Sequence, residues 1–198
     1  FDPENHAFVP SPAHRLDRNT AGLVVFGKTD AALKELEELF KDRTEIDKRY
    51  TALVSGVLKG KGEISAPLKK NPESGLVSVT PVEEGGKESL TRYTVTENFG
   101  DSTLVEAELV TGRTHQIRVH FQSIDHPIIG DGKYGDFSAN RHYKAVYGFD
   151  HQFLHATSLS FKNVGGVLSV LKNKMFVSPL SEEEARLVAT LRAGDKMK

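Results

Sequence analysis

The chain has 198 residues, enough for one large domain or two small ones at roughly 100–200 residues each. It has no cysteine, which excludes a disulfide framework, a zinc–thiolate site and a thiol nucleophile, and is compatible with a reducing, cytoplasmic compartment. Lysine and arginine total 26 against 27 acidic residues, a net charge of −1, so a nucleic-acid partner requires one locally basic face rather than a global field.

A domain of this size buries about 70% of its unfolded-chain surface and needs no covalent or metal staple. No apolar stretch is long enough to cross a bilayer, so neither a membrane span nor a signal peptide is expected. The opening, "FDPENHAFVPSPAHRLD", carries three prolines and starts on Phe1, and reads as the start of a fragment whose upstream part is missing.

In chain order, "GLVVFGK" predicts a short buried strand closed by Gly27. "TDAALKELEELFKDR" predicts a helix with Leu33, Leu36 and Phe40 on one face and Thr29 or Asp30 as N-cap. "KRYTALVSG" is a strand in which Tyr50, Ala52 and Val54 alternate. The stretch from Ser74 to Phe99 predicts two strands joined through Gly85-Gly86, with Thr91, Tyr93 and Val95 sharing a face. "STLVEAELVTG" turns Val105, Ala107 and Leu109 inward and Glu106 and Glu108 outward, as in a sheet with one covered face. "HQIRVHFQSI" fits both periods, and Thr114 as an N-cap favours helix. "FLHATSLSF" and "GVLSVLK" predict strands, and a capping box of Ser181 and Glu184 opens a last helix. Strands before, between and after isolated helices give an α+β fold with a mixed, mostly antiparallel sheet.

Two segments concentrate charge. In "HRLDRNTAGL", Asp17 stands between Arg15 and Arg18. In "GRTHQIRVHFQSIDHPIIGDGKYGD", Arg113, His115, Arg118 and His120 fall within eight positions. Charges on a helix face are usually solvated and Gly–Asp clusters are usually turns, yet guanidinium forks are also the preferred partners of phosphates and carboxylates. No G-x-S-x-G elbow, H-E-x-x-H pair or P-loop is present. His115 and His120, five residues apart, point to different helix faces, so no metal site is expected.

At these residues the chain resembles a known family. "HRLDRNTAGL", "KRYTALVSG", "GRTHQIRVHFQSIDHPIIGDGKYG" and "FLHATSLSF" are similar, in order and spacing, to the successive motifs of the RluA family of pseudouridine synthases. The resemblance runs from about His14 to the last helix and leans toward the branch that modifies large-subunit ribosomal RNA. It implies the pseudouridine synthase fold over residues 1–198, as a catalytic domain without its upstream part. Ala21 stands where the family has serine. The family's preceding strand motif, with its lysine-proline pair, and an upstream RNA-binding domain of the S4 type have no counterpart in the sequence.

The implied activity is isomerisation of uridine within RNA, with no cofactor and no metal, on a nucleotide flipped into a pocket. The resemblance makes Asp17 the essential carboxylate, either attacking C1′ or removing the C2′ proton. It makes Arg118 the counter-charge of Asp17 and Tyr50 the active-site tyrosine. Arg15 would fill the stack left by the flipped base, and Ile117 would supply an apolar wall. Arg18, Arg113, His115 and Gln116 would contact RNA or support the site. The implied partner is ribosomal RNA, with transfer RNA as a second candidate, and the protein is expected to be monomeric, cytoplasmic and free of membrane contact. Two other classes compete: a non-catalytic RNA-binding or ribosome-assembly module, and a glycoside hydrolase, which wants a second paired carboxylate. A basic face is expected with Asp17 at its centre and with Arg15, Arg18, Arg113 and Lys69-Lys70 around it. The acidic residues of "KELEELF" and "SEEEAR" are expected on the remote side.

Overall fold

A computed structural model describes residues 8–195; the residues at the expected fragment start, Phe1 to Ala7, lie outside them. The expected strand after the first motif is instead broken into two-residue pieces. Ser11–Pro12 (β1) pairs antiparallel with Phe26–Gly27 (β3), whereas Ala21–Gly22 (β2) pairs parallel with Leu154–Phe161. Gly22 has φ of 106°, and a Cβ there would lie 2.3 Å from the Ala156 carbonyl oxygen. Only glycine permits that approach, and the resulting turn of direction divides the strand. Leu23 and Val25 still pack inward, beside helix Asp30–Asp42 (α1).

Helix α1 starts where expected. The Thr29 side chain accepts from the Ala32 amide, and the helix ends on Arg43 in the left-handed region, φ 66°. Its apolar face, including Leu36 and Phe40, meets Ile46, Leu159 and Phe161 of the sheet. Segment 166–171, predicted as a strand, is a 3₁₀ helix. Leu168 and Leu171, three residues apart, both turn toward α1, and that period of three overrides the local alternation.

The main sheet grows from Ile46–Ser55 (β4), Lys61–Ser65 (β5), Leu90–Asn98, Ser102–Leu109, Leu154–Phe161 and Met175–Val177. Short strands Leu68–Lys70 (β6) and Val77–Val79 (β7) form a separate pair. With Leu90–Asn98 as β8, Ser102–Leu109 as β9, Leu154–Phe161 as β10 and Met175–Val177 as β11, the order is β11-β10-β4-β9-β8-β5. All of these neighbours are antiparallel, with β2 the parallel addition beside β10. The segments flanking Gly85-Gly86 are not a hairpin: β7 pairs with β6, and β8 pairs with β5 and β9. A 3₁₀ turn at Val82–Glu84, closed by Gly85 at φ 89°, separates them.

The sheet is covered on both faces where β4 runs Ala52-Leu53-Val54, all fully buried. Ala52, Val54 and Val105 meet Phe121 of helix Gln116–Ser123 (α2). Leu53 and Leu104 meet Tyr143 of helix Phe137–Tyr147 (α3) and Leu187 and Leu191 of helix Glu182–Asp195 (α4). The expected single covered face holds only at the other end, where Arg49, Glu106 and Glu108 remain partly exposed. Each large apolar side chain buried here contributes roughly 1.5–3 kcal/mol. The capping box of α4 forms as expected. The Ser181 amide donates to Glu184 Oε2 at 2.8 Å and the Glu184 amide to Ser181 Oγ at 3.2 Å.

Candidate active site

The loop carrying Asp17 is pinned at both ends. The Val25 amide donates to His14 Nε2 at 3.2 Å, and Gln152 Nε2 donates to Thr20 Oγ1 at 2.6 Å. Between them the Thr20 amide donates to the Asp17 carbonyl at 3.0 Å, closing a tight turn with Asn19 at φ 67°. The Asp17 carboxylate therefore projects from a fixed backbone into a cleft of about 620 Å³.

Strand β4 brings Tyr50 to the same cleft. Its neighbours in register are Ala107 on β9 and Ala156 on β10. Two alanines leave room beside the ring, and Ile117 packs in the same cluster. Tyr50 is 6% exposed. Burial pushes its hydroxyl up to about 12; the Arg43 charge opposes this and the Asp17 charge adds to it.

Helix α2 presents Arg118 to Asp17 through Nη1, at 3.3 Å from Oδ2. The closer partner is Asp131, which stands in the glycine-rich run "GDGKYG". Arg118 Nε donates to Asp131 Oδ2 at 2.7 Å and Nη2 to Oδ1 at 2.8 Å. Asp131 also accepts the amides of Lys133 at 2.8 Å and Tyr134 at 3.1 Å. Burial alone would raise its carboxyl pKa, but the Arg118 bonds and these amides overcome burial and hold it below the usual range. The Arg118 guanidinium lies over the Tyr134 ring, 5.0 Å from its centre. Tyr134 Oη accepts from the Val77 amide at 2.9 Å and lies 2.8 Å from His115 Nδ1. The signal for both residues was the spacing "GDGKYG": an aspartate whose carboxylate caps the following turn.

The start of α2 departs from expectation. Thr114 is not its cap; His115 takes the N-cap position at φ 53° with no side-chain cap bond. Gln116 braces the loop instead. Its Oε1 accepts from Thr111 Oγ1 at 2.7 Å and the Arg113 amide at 3.0 Å; its Nε2 donates to the Leu90 carbonyl and to Thr91 Oγ1, both at 3.0 Å. The side chain is 2% exposed, so its amide is spent inside the protein. His120 is likewise interior, 2.9 Å from both Ser89 Oγ and Thr91 Oγ1.

Of the expected site residues, Arg15, Asp17, Tyr50, Arg113, His115, Gln116, Ile117 and Arg118 all line the cleft, and Arg18 does not. Lys70 joins them at its edge, whereas Lys69 bonds the Glu84 carbonyl at 2.7 Å. Two acidic residues correct the expected charge pattern. Glu37 borders the cleft, because it shares a helix face with Phe40 and Lys41 at the spacing of three and four. Glu184 is buried, 2.7 Å from His155 Nδ1, and ties α4 to β10 rather than decorating a remote surface.

The fold and this cleft define a class. Over residues 1–123 the sequence matches the family described as RNA pseudouridylate synthase, and the chain belongs to that family. It is 40% identical, over 91% of its length, to the ribosomal large subunit pseudouridine synthase C of Vibrio cholerae, covering 51% of that protein. It is 41% identical, over 77% of its length, to the protein of the same name from Escherichia coli, covering 48% of it. The chain thus spans about half the length of these curated relatives. The solved structure of human RNA pseudouridylate synthase domain containing 4 superposes with a TM-score of 0.74 at 25% identity, covering 92% of this chain and 76% of that one.

Proposed function

We propose that this chain is the catalytic part of an RNA pseudouridine synthase that isomerises uridines in large-subunit ribosomal RNA. What carries the reading is the carboxylate of Asp17, fixed beside buried Tyr50 and within hydrogen-bond reach of Arg118 in a cation-walled cleft. The names of the curated relatives support the ribosomal substrate.

The reaction is an isomerisation: the N1–C1′ bond breaks, a C5–C1′ bond forms, and the C5 proton is lost as N1 gains one. No oxidant, reductant or net water enters, so side chains alone can carry it. Arg118 orients the Asp17 carboxylate for attack at C1′ or removal of the C2′ proton. Tyr50 stacks on the uracil; its hydroxyl is neutral up to high pH, so it acts as a relay for the departing C5 proton, giving its own proton to solvent as it takes that one. Ile117 walls the ring. Arg15, exposed on the Asp17 loop, fills the stack that the flipped base leaves, and Arg113 and Lys70 meet phosphates. His115 and Gln116 hold the loop that carries Arg113.

No helix among the described residues is long and apolar enough to cross a membrane; the proposed ribosomal RNA substrate supports a cytoplasmic site of work. Mapping pseudouridines in ribosomal RNA from cells with and without the full-length protein tests the reading. Loss of specific large-subunit sites is expected; an unchanged map contradicts it.

A further inference from the structure

Among the other cations that line the cleft are Lys48, two residues before Tyr50, and Arg43, at the end of α1. Lys48 is 7% exposed. Its Nζ lies over the Phe40 ring, 5.1 Å from the centre. Arg43 Nη1 is buried with no hydrogen-bond partner. Among the described residues neither forms a salt bridge. Glu37, the other acidic residue lining the cleft besides Asp17, is exposed and pairs with neither.

The chain holds the guanidinium in this costly place. A Cβ on Gly112 would lie 1.6 Å from Arg43 Nη2, so the absence of a side chain at 112 lets the fork lie against the backbone there. Burial, and then the charge of Arg43, push the Lys48 ammonium down to about 8. Burial lowers Arg43 as well, and nearby Arg113 adds to it. A buried ammonium and a half-buried guanidinium with an unused buried donor, both on the wall of one cleft, are destabilising in the free protein. An anion that bonds both supplies the missing counter-charge and satisfies that donor.

We infer that Arg43 and Lys48 form an anion subsite for a phosphodiester of the substrate strand, the one adjoining the nucleotide whose base enters the cleft. The inference rests on the RNA reading above. A planar fork beside a point charge suits a phosphate with several free oxygens. An RNA strand carries such a group on either side of every nucleotide. Gripping one of them on the wall that also carries Tyr50 sets the ribose in register with Asp17, so the interaction orients as well as binds.

The test titrates uridine, uridine 3′-monophosphate and uridine 5′-monophosphate into the wild-type chain and into Arg43→Gln and Gly112→Ala, following Lys48 side-chain resonances by NMR. Gly112→Ala keeps both cations and its Cβ meets first the guanidinium end of the flexible Arg43 side chain, and thermal melts of both variants establish that they fold. One of the two monophosphates is expected to bind about tenfold tighter than uridine, the scale of one charge-assisted hydrogen bond. That advantage should vanish in both variants while uridine's own affinity holds. Equal binding of all three probes by the wild type, or an advantage intact in both variants, overturns the subsite. Isomerisation of ribosomal RNA is scored separately. A phosphate advantage without turnover overturns the strand assignment through failure of the RNA reading, and turnover without the advantage overturns the subsite alone.

Discussion

Asp131 takes two of the guanidinium nitrogens of Arg118, at 2.7 and 2.8 Å, and leaves Nη1 for Asp17 at 3.3 Å. The carboxylate expected to be the arginine's partner is thus its second one. Arg118 is clamped from behind by a 1%-exposed carboxylate and offers its remaining edge to the cleft.

That asymmetry fixes a pattern of coupling. Arg118→Ala leaves Asp131 buried without its counter-charge, which should cost on the order of 3–5 kcal/mol. Denaturant melts of Arg118→Ala, Asp131→Ala and Asp17→Ala, singly and in pairs, should give a larger interaction energy for 118–131 than for 118–17. Asp131→Asn should also reduce turnover, because Arg118 is no longer aimed. Equal coupling in the two pairs would show that Asp131 does not fix the arginine.

Tyr50 predicts a pH effect of definite sign. Its folded-state pKa is raised to about 12, above the unfolded value near 10, so its contribution to stability is whole below the unfolded value and is lost as pH climbs through the folded one. Urea melts between pH 9 and about 11.5 should show Tyr50→Phe losing less stability than wild type over that window. Parallel losses would mean that the hydroxyl is not buried as described.

His14 acts at the other end of the scale. Burial, and then the Lys48 charge, hold its imidazole down to about 4, so the unfolded chain takes up the proton first as pH falls. The stability it contributes is present above its unfolded value near 6.5 and is lost between there and about 4. His14→Gln should flatten that part of the stability profile; an unaltered slope would remove His14 as its source.

Arg15→Ala separates stack filling from phosphate binding. If Arg15 binds a phosphate, its removal should lower the log–log salt slope of binding by about 0.7 for single-stranded RNA, for target and non-target alike. If it fills the stack, its removal should instead weaken target RNA more than RNA without the target uridine. Binding assays across a salt series distinguish them, and equal weakening through the slope alone would rule out the stack-filling role.

The long, regular elements were legible from local pattern. Thr29 and the Ser181–Glu184 box marked two helix starts, and the alternation of Tyr50, Ala52 and Val54 marked the central strand. Contacts between distant segments were not legible. The break at Gly22 depends on the Ala156 carbonyl, over a hundred residues away. Helix α3 has Tyr143 as its one buried residue, too thin an apolar face to announce itself, and its Asp136 cap was concealed in a run that reads as a turn. In the site, the pairing of Asp17 with Arg118 came from resemblance. The Asp131 clamp and the Arg43–Gly112 approach come from packing, since a side chain's burial and its unpaired atoms have no signature in spacing.

The most direct measurement is tritium release from 5-tritiated uridine in large-subunit ribosomal RNA by wild type and Asp17→Asn in parallel, with melts and RNA affinity recorded for both. Asparagine keeps the shape of Asp17 and removes its charge. The account predicts release by wild type and none above background by Asp17→Asn, with fold and most RNA affinity retained. Near-normal release by the variant would contradict it.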